Sequence, residues 1–251
     1  MRSLVLLLFC AASGSAQNYA SFGNQPVSRM SFLRHQFKPS QNAFRDGSLI
    51  GYWPLSEGAG TTVYDESGNG DSGSWVNSAA GTNGYYSAGK TAAFSGFFAN
   101  TPANRVNLTS GLSLTGALTY CAWINTFGLG SAHIWLGDTD TNGLKVGGNT
   151  GATAFARLYN GGSSLSAGSI PLNTWHLMTI TRDGSNAVVL YFDAVSIATA
   201  SSQSGTSAPA FIGSAAPAGA QWWDGPLQNV RIYNRALTQS EIQAIYNAEN
   251  H

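Results

Sequence analysis

The stretch WWDGPLQNVRIYNRALTQSEIQAIY, residues 222–246, decides the architecture. After the Asp224-Gly225 turn, Val230 and Ile232 alternate with Arg231 and Tyr233, the two-residue period of a strand with unlike faces. Thr238-Gln-Ser-Glu241 then has the spacing of a capping box, in which the Thr hydroxyl and the Glu carboxylate each accept from a helix-start amide. A helix of about three turns should follow. Ile242, Ile245 and Tyr246 at i, i+3, i+4 give it one narrow apolar stripe, so it must lie on something larger. The stretch therefore predicts a final strand and one covering helix that close a β domain.

Composition agrees. The 251 residues suit one sandwich, and 43% hydrophobic content supplies a sizeable core. Only 10% of residues are charged, and 30 glycines imply many turns. Formal net charge is zero and no Lys/Arg cluster could neutralise a row of phosphates, which argues against nucleic acid as a partner. The basic residues between Arg29 and Arg45 are spread along a polar segment and read as a solvated tail.

Residues 1–16, MRSLVLLLFCAASGSA, combine one basic residue, an apolar run and small residues before a cut, the pattern of a secretory signal peptide. The run is too short for a membrane span, which takes about 20 residues. Phe9 stands before Cys10 where a lipoprotein signal needs a small residue. Residues 17–47, rich in Gln, Asn and Ser, read as a polar lead or linker, and 48–251 as the folded domain. Cleavage leaves Cys121 as the one thiol, so no intrachain disulfide is expected. In LTYCAWINTF it alternates with Trp123 on a strand and reads as buried and inert. The expected setting is secreted or extracellular, or periplasmic or cell-surface in a bacterium.

Two further stretches join the closing one. LIGYWPLSEGAGTTVYDESGNG, from Leu49, holds a Trp-Pro-Leu strand and the turn Asp65-Glu-Ser-Gly-Asn69-Gly70. PLNTWHLMTITRDGSNAVVLYFDAVSI, residues 171–197, holds two strands joined at Asp183-Gly-Ser-Asn186. In order and spacing the three resemble the LamG-like jelly-roll domains of the concanavalin A-like lectin and glucanase superfamily, over about residues 49–247. The resemblance implies an all-β fold, a two-sheet antiparallel jelly-roll β-sandwich with a short C-terminal helix. Relatives commonly have Gly after the Leu-Tyr-Phe-Asp run; Ala194 stands there in this chain, which predicts a turn of different shape.

In many relatives the Asp-x-Ser-Gly-Asn-Gly loop sits by calcium, and the resemblance carries that role to Asp65 and Asn69. Relatives often add an acidic residue just before Val-Arg-Ile-Tyr. This chain has Gln228 and Asn229 there, leaving Asp224 as a substitute. The set reads either as a structural calcium site or as a plain Asx turn. Asp138-Thr-Asp140-Thr-Asn142-Gly143 matches the first half of an EF-hand loop, but Asn149 stands where the closing Glu belongs and both flanks read as strands. A hairpin turn is the main reading and a weak surface calcium the minor one.

Aromatic side chains beside amides suit sugar recognition, and equally suit a core with covered edges. The candidates are Trp222 and Trp223, of which one should be partly exposed because neighbours on a strand face opposite ways, and Tyr85 and Tyr86. Catalytic patterns are weaker. Gly70-Asp-Ser-Gly73 lacks an upstream His and Asp in the right setting, and no Glu-x-Asp-x-Glu run marks a glucanase strand. His176 has no carboxylate adjacent in sequence, and a lyase built from His176, Arg182 and Tyr191 would need the fold to gather them. The leading expectation is a secreted non-catalytic binding module for carbohydrate or cell-surface and matrix glycoconjugates. The alternatives are a structural or adhesive surface protein working by protein contacts, and a glycan-active hydrolase or lyase. Expected partners are a glycan or an extracellular protein, with no membrane span.

Overall fold

The computed structural model describes residues 44–76, 85–99, 104–109, 111–128, 133–138, 144–149, 153–158, 164–167, 170–201, 203–215 and 221–251. The expected signal peptide and residues 17–43 of the lead lie outside them. One antiparallel sheet runs β14 (Val195–Ala200), β13 (Val188–Phe192), β12 (His176–Arg182), β7 (Leu118–Ile124), β16 (Gly225–Tyr233), β5 (Phe94–Phe98) and β4 (Tyr86–Ala88), with β1 (Leu49–Trp53) also pairing β16. The other runs β11 (Ser164–Ala167), β10 (Thr153–Leu158), β9 (Leu144–Asn149), β8 (His133–Asp138), β15 (Pro209–Ile212), β6 (Arg105–Leu108), β3 (Gly73–Val76) and β2 (Thr62–Val63). This is the two-sheet jelly roll, and α1 (Gln239–Glu249) is the short C-terminal helix. Among the described residues no helix is long and apolar enough to cross a membrane.

The alternation along β16 sorts its side chains as the period requires. Leu227, Val230 and Ile232 enter the core between the sheets with Trp53, Trp135 and Trp223, while Tyr233 joins an outer cluster with Trp123, Leu177, Ile242 and Ile245. That outer cluster is the seat of α1. It explains why all seven residues of β7 are buried: Tyr120, Ala122 and Ile124 face the other sheet, and Cys121 and Trp123 face the helix. Burial pushes the Cys121 thiol up to about 11, which leaves it protonated and unreactive. The capping box is formed, with Thr238 N–H donating to Glu241 Oε2 at 2.7 Å and Glu241 N–H to Thr238 Oγ1 at 3.3 Å.

Under the helix, Arg231 of β16 is ion-paired with Glu249 of the last helical turn, and Trp123 Nε1 donates to Glu249 Oε2 at 2.7 Å. The Arg231 guanidinium also lies 4.7 Å from the centre of the Tyr52 ring. The register of β16 against β7 shifts between Gln228 and Arg231, a bulge in which Asn229 takes φ 54°. Gln228 Oε1 accepts from the amides of Lys90 and Thr91 at 2.8 and 2.9 Å, and Asn229 Nδ2 donates to Thr91 Oγ1 at 3.0 Å. These two side-chain amides hold the loop between β4 and β5.

In the turn between β13 and β14, Asp193 and Ala194 take φ 48° and 65°, the left-handed region that glycine favours, at a backbone cost of about 1 kcal/mol. The Ala194 side chain is buried in the outer cluster, and its carbonyl accepts from Gln239 Nε2 of α1. At the other terminus, Phe44 to Gly47, expected in the lead, are already tied to the domain. Tyr233 Oη donates to the Phe44 carbonyl at 3.3 Å, and Arg235 pairs with Asp46 at 2.7 Å.

Candidate functional site

The β4–β5 hairpin ends the first sheet, and its inward residue Tyr86 packs on Trp75 of the opposite sheet. Trp75 is held on three sides: Tyr85 stacks on it at 4.8 Å, Tyr86 meets it edge-on at 5.9 Å, and Phe98 lies at 4.7 Å. The indole Nε1 donates to Tyr86 Oη at 3.2 Å, and Tyr86 Oη donates to Glu57 Oε2 at 3.1 Å. Burial pushes the Tyr86 phenol up, well clear of neutral pH, so it remains a donor. The second carboxylate oxygen, Glu57 Oε1, accepts from the Tyr64 amide at 3.0 Å.

This relay borders a groove of about 420 Å3 lined by Gly58, Tyr86, Ser87, Ala88, Ala93 and Phe94. Glu57 is bound to it on both sides, as the chain neighbour of Gly58 and the acceptor of Tyr86. Gly58 has φ 73°, and a Cβ there would come within 2.4 Å of the Phe94 ring, so only glycine lets Phe94 lie across the wall. Phe94 and Tyr64 are large aromatic side chains left 44% and 59% exposed. The result is a half-polar recess with the exposed Phe94 ring in its wall and a fixed carboxylate adjoining it behind Tyr86, the chemistry that polyhydroxylated ligands need.

Of the four aromatic residues expected to contact ligand, Trp223 is fully buried and Tyr86 nearly so. Both are core side chains, and Tyr86 reaches the groove edge with its hydroxyl. Tyr85 is half-buried against Trp75, and Trp222 is half-buried beside Ser214. Phe94, which walls the groove, and Glu57, which adjoins it, belong to no periodic pattern or motif; the glycine at position 58 is their one local signal.

The residues expected at calcium are not gathered. Asp65 Oδ1 accepts from the amides of Tyr52 and Ser67, and Oδ2 from the Asp71 amide and Ser67 Oγ, at 2.8–3.0 Å. Burial raises the Asp65 pKa, but these hydrogen bonds outweigh it and hold the carboxyl below its ordinary value. Asn69 directs Nδ2 to the Leu49 and Ile50 carbonyls. Asp224 stands just before β16, whereas Asp65 binds Tyr52, the partner of Arg231 near the far end of that strand. The donors around Asp65 are N–H and O–H groups where a hard cation needs oxygen lone pairs, so this arrangement does not fit calcium. Among the described residues no group of three or more His, Cys, Asp or Glu is placed to hold a metal ion. Asp138, the first residue of the second turn, is buried and accepts from Ser207 Oγ and the Ala208 amide. Asp140 and Asn142 lie outside the described residues.

The fold supplies His176 with the carboxylate missing from its sequence neighbourhood: Nδ1 lies 2.7 Å from Asp193 Oδ2, and the ring stacks on Phe192 at 4.5 Å. Its Nε2 is buried and has no hydrogen-bond partner among the described residues, where the pair continues to no nucleophile. Arg182 is at the other end of β12, donating to the carbonyls of Leu114, Gly116 and Gly205, and Tyr191 packs in the outer cluster. His176, Arg182 and Tyr191 therefore form no lyase-like cluster.

Several solved structures share this fold. The binding domain of Paraclostridial Mosquitocidal Protein 1 matches with TM-score 0.60 and 17% identity, over 80% of this chain and 52% of that one. The binding domain of Botulinum Neurotoxin DC, solved in complex with SialylT, matches with TM-score 0.59 and 14% identity, over 81% of this chain and 52% of that one. Domain 4 of AbnA, a GH43 extracellular arabinanase from Geobacillus stearothermophilus, was solved in complex with arabinotriose; it matches with TM-score 0.60 and 17% identity, over 79% of this chain and 98% of that one. The chain thus spans about half the length of the two toxin binding domains. At these identities the likeness concerns the fold. Comparison with curated protein sequences finds no match. The Laminin_G_3 family model, described as concanavalin A-like lectin/glucanases superfamily, matches residues 99–243, more than half of the sequence, and the chain therefore belongs to that family.

Proposed function

We propose that the protein is a secreted, non-catalytic carbohydrate-binding module. The observation that carries this reading is the groove walled by the exposed Phe94 ring, whose lining residue Tyr86 is fixed in a hydrogen-bond relay from Trp75 to Glu57. A pyranose or furanose ring presents an apolar face to an aromatic side chain and its hydroxyls to polar groups; the groove offers the Phe94 ring, and the Glu57 carboxylate adjoins it. Arabinotriose on a whole domain of the same fold, and SialylT on a toxin binding domain, support a sugar as the ligand class. The non-catalytic assignment rests on the same groove, none of whose six lining residues is a carboxylate, whereas glycoside hydrolysis by acid and nucleophile takes two. Secretion rests on the leader-like residues 1–16.

The test is calorimetric titration of the protein with a panel of oligosaccharides, repeated with Phe94→Ala. Binding that weakens at least tenfold in the variant, about 1.4 kcal/mol, with an unmoved melting temperature supports the reading. Equal affinity of the two proteins would remove the groove from the binding surface.

One observation favours a second reading, adhesion through protein contacts. Edge strand β14 carries Val195 and Ile197, 59% and 37% exposed, and holds no Lys or Pro to guard it. Concentration-dependent association abolished by Val195→Lys would support that reading.

A further inference from the structure

We infer that the groove selects uncharged, hydroxyl-rich saccharides and rejects acidic ones, an inference that rests on the carbohydrate reading and specifies its ligand class. A carboxylate offers about four acceptor positions, and among the described residues two are taken at Glu57, by the Tyr64 amide and Tyr86 Oη. The remaining acceptor capacity calls for donors, which sugar hydroxyls supply. Tyr86 cannot turn to donate to a ligand instead, because its oxygen is fixed between Trp75 Nε1 and Glu57.

Charge decides the rest. None of the six lining residues, Gly58, Tyr86, Ser87, Ala88, Ala93 and Phe94, is basic. The one lysine of the hairpin loop, Lys90, is turned to the opposite face of its sheet, with Nζ 4.4 Å from the Trp123 ring centre and 3.0 Å from Asn250 Oδ1. A uronic or sialic acid entering the groove would bring its carboxylate toward Glu57 with no lining cation to screen the two, and like charges so placed oppose binding. An uncharged ring stacked on Phe94 meets no such penalty.

The experiment uses the whole chain and matched probes: lactose against sialyllactose, and neutral trisaccharides of xylose, glucose, arabinose and galactose against galacturonic acid trimers. At least one neutral probe should bind, and every acidic probe should bind at least tenfold more weakly. Glu57→Gln should narrow that gap. Ala93→Arg, at an exposed position of the groove wall, should admit acidic probes that the unmodified protein refuses. Acidic probes binding as tightly as neutral ones would overturn the charge selection and leave the carbohydrate reading standing. Binding of no saccharide at all would overturn both. Should Glu57→Gln fail to fold, the Ala93→Arg result decides alone, since an unchanged preference in that variant counts against the inference.

Discussion

Glu249 and Glu57 are each linked to a tryptophan indole, directly in one case and through Tyr86 in the other, and their remaining surroundings differ. Glu249 is 7% exposed, closed beneath α1, and its charge is balanced by Arg231 while Trp123 takes a further lone pair. Glu57 adjoins the groove, is partly exposed, and receives neutral donors, with no ion-pair partner among the described residues. A buried carboxylate closed off from solvent and neutralised by a cation holds structure together. One that is fixed in place with acceptors left over can hold a ligand.

The comparison breaks most visibly at Glu249. Glu249→Gln leaves the Arg231 guanidinium buried without its counter-charge, and removing one partner of a buried pair costs about 3–5 kcal/mol. Urea unfolding should show that loss in midpoint at unchanged slope. Glu57→Gln, by contrast, should change stability by less than about 1 kcal/mol, because its surroundings are partly solvated, the amide oxygen still accepts from the Tyr64 amide, and the amide NH2 can donate to Tyr86 Oη. Similar losses for the two variants would erase the distinction between a structural carboxylate and a binding one.

Glu241 sharpens the scale between them. It is a surface residue, but Arg235's hydrogen bonds, opposed by slight burial and helped by the Thr238 amide, hold its carboxyl down to about 2. A folded value below the unfolded one means that its stabilisation is complete above about 4.5 and is lost as pH falls toward about 2. Acid titration of unfolding should therefore show a limb in that window that Glu241→Gln flattens. Thr238→Ala, which removes the other half of the capping box, should cost about 1 kcal/mol near neutral pH.

How far these roles could be read in the sequence follows from the reach of each interaction. The Val230/Arg231 alternation and the Thr238–Glu241 box are local, spanning a few residues of backbone geometry, and both read directly. The His176–Asp193 pair was within reach of counting: outward from the Asp183–Asn186 turn, the strand register brings Asp193 opposite Leu177, next to His176. Absence of a neighbouring carboxylate in the chain was a poor guide to its absence in the fold. Glu57 was not legible. Its partners come from 7 and 29 residues away, and Phe94 and Tyr64 are exposed aromatic side chains that leave no period. The same limit hid which of each aromatic pair is core, because Tyr85 and Tyr86 both embrace Trp75 from a turn and a strand start where alternation has not yet begun.

The smallest expected effect concerns Asp65, the third kind of carboxylate, satisfied by neutral donors alone. Its resemblance-derived role at calcium requires free oxygens, and its four hydrogen bonds from Tyr52, Ser67 and Asp71 occupy them. Calcium would have to displace backbone amides and leave them unpaired, at about 1–3 kcal/mol for each buried group. The melting temperature should therefore be the same in saturating calcium and in chelator, whereas Asp65→Ala should destabilise the loop with or without the ion. A ligand that binds only the folded state raises its melting temperature by mass action. A rise with calcium that Asp65→Ala abolishes would show that the loop rearranges to bind the ion, placing Asp65 with Glu57 among carboxylates that hold a ligand.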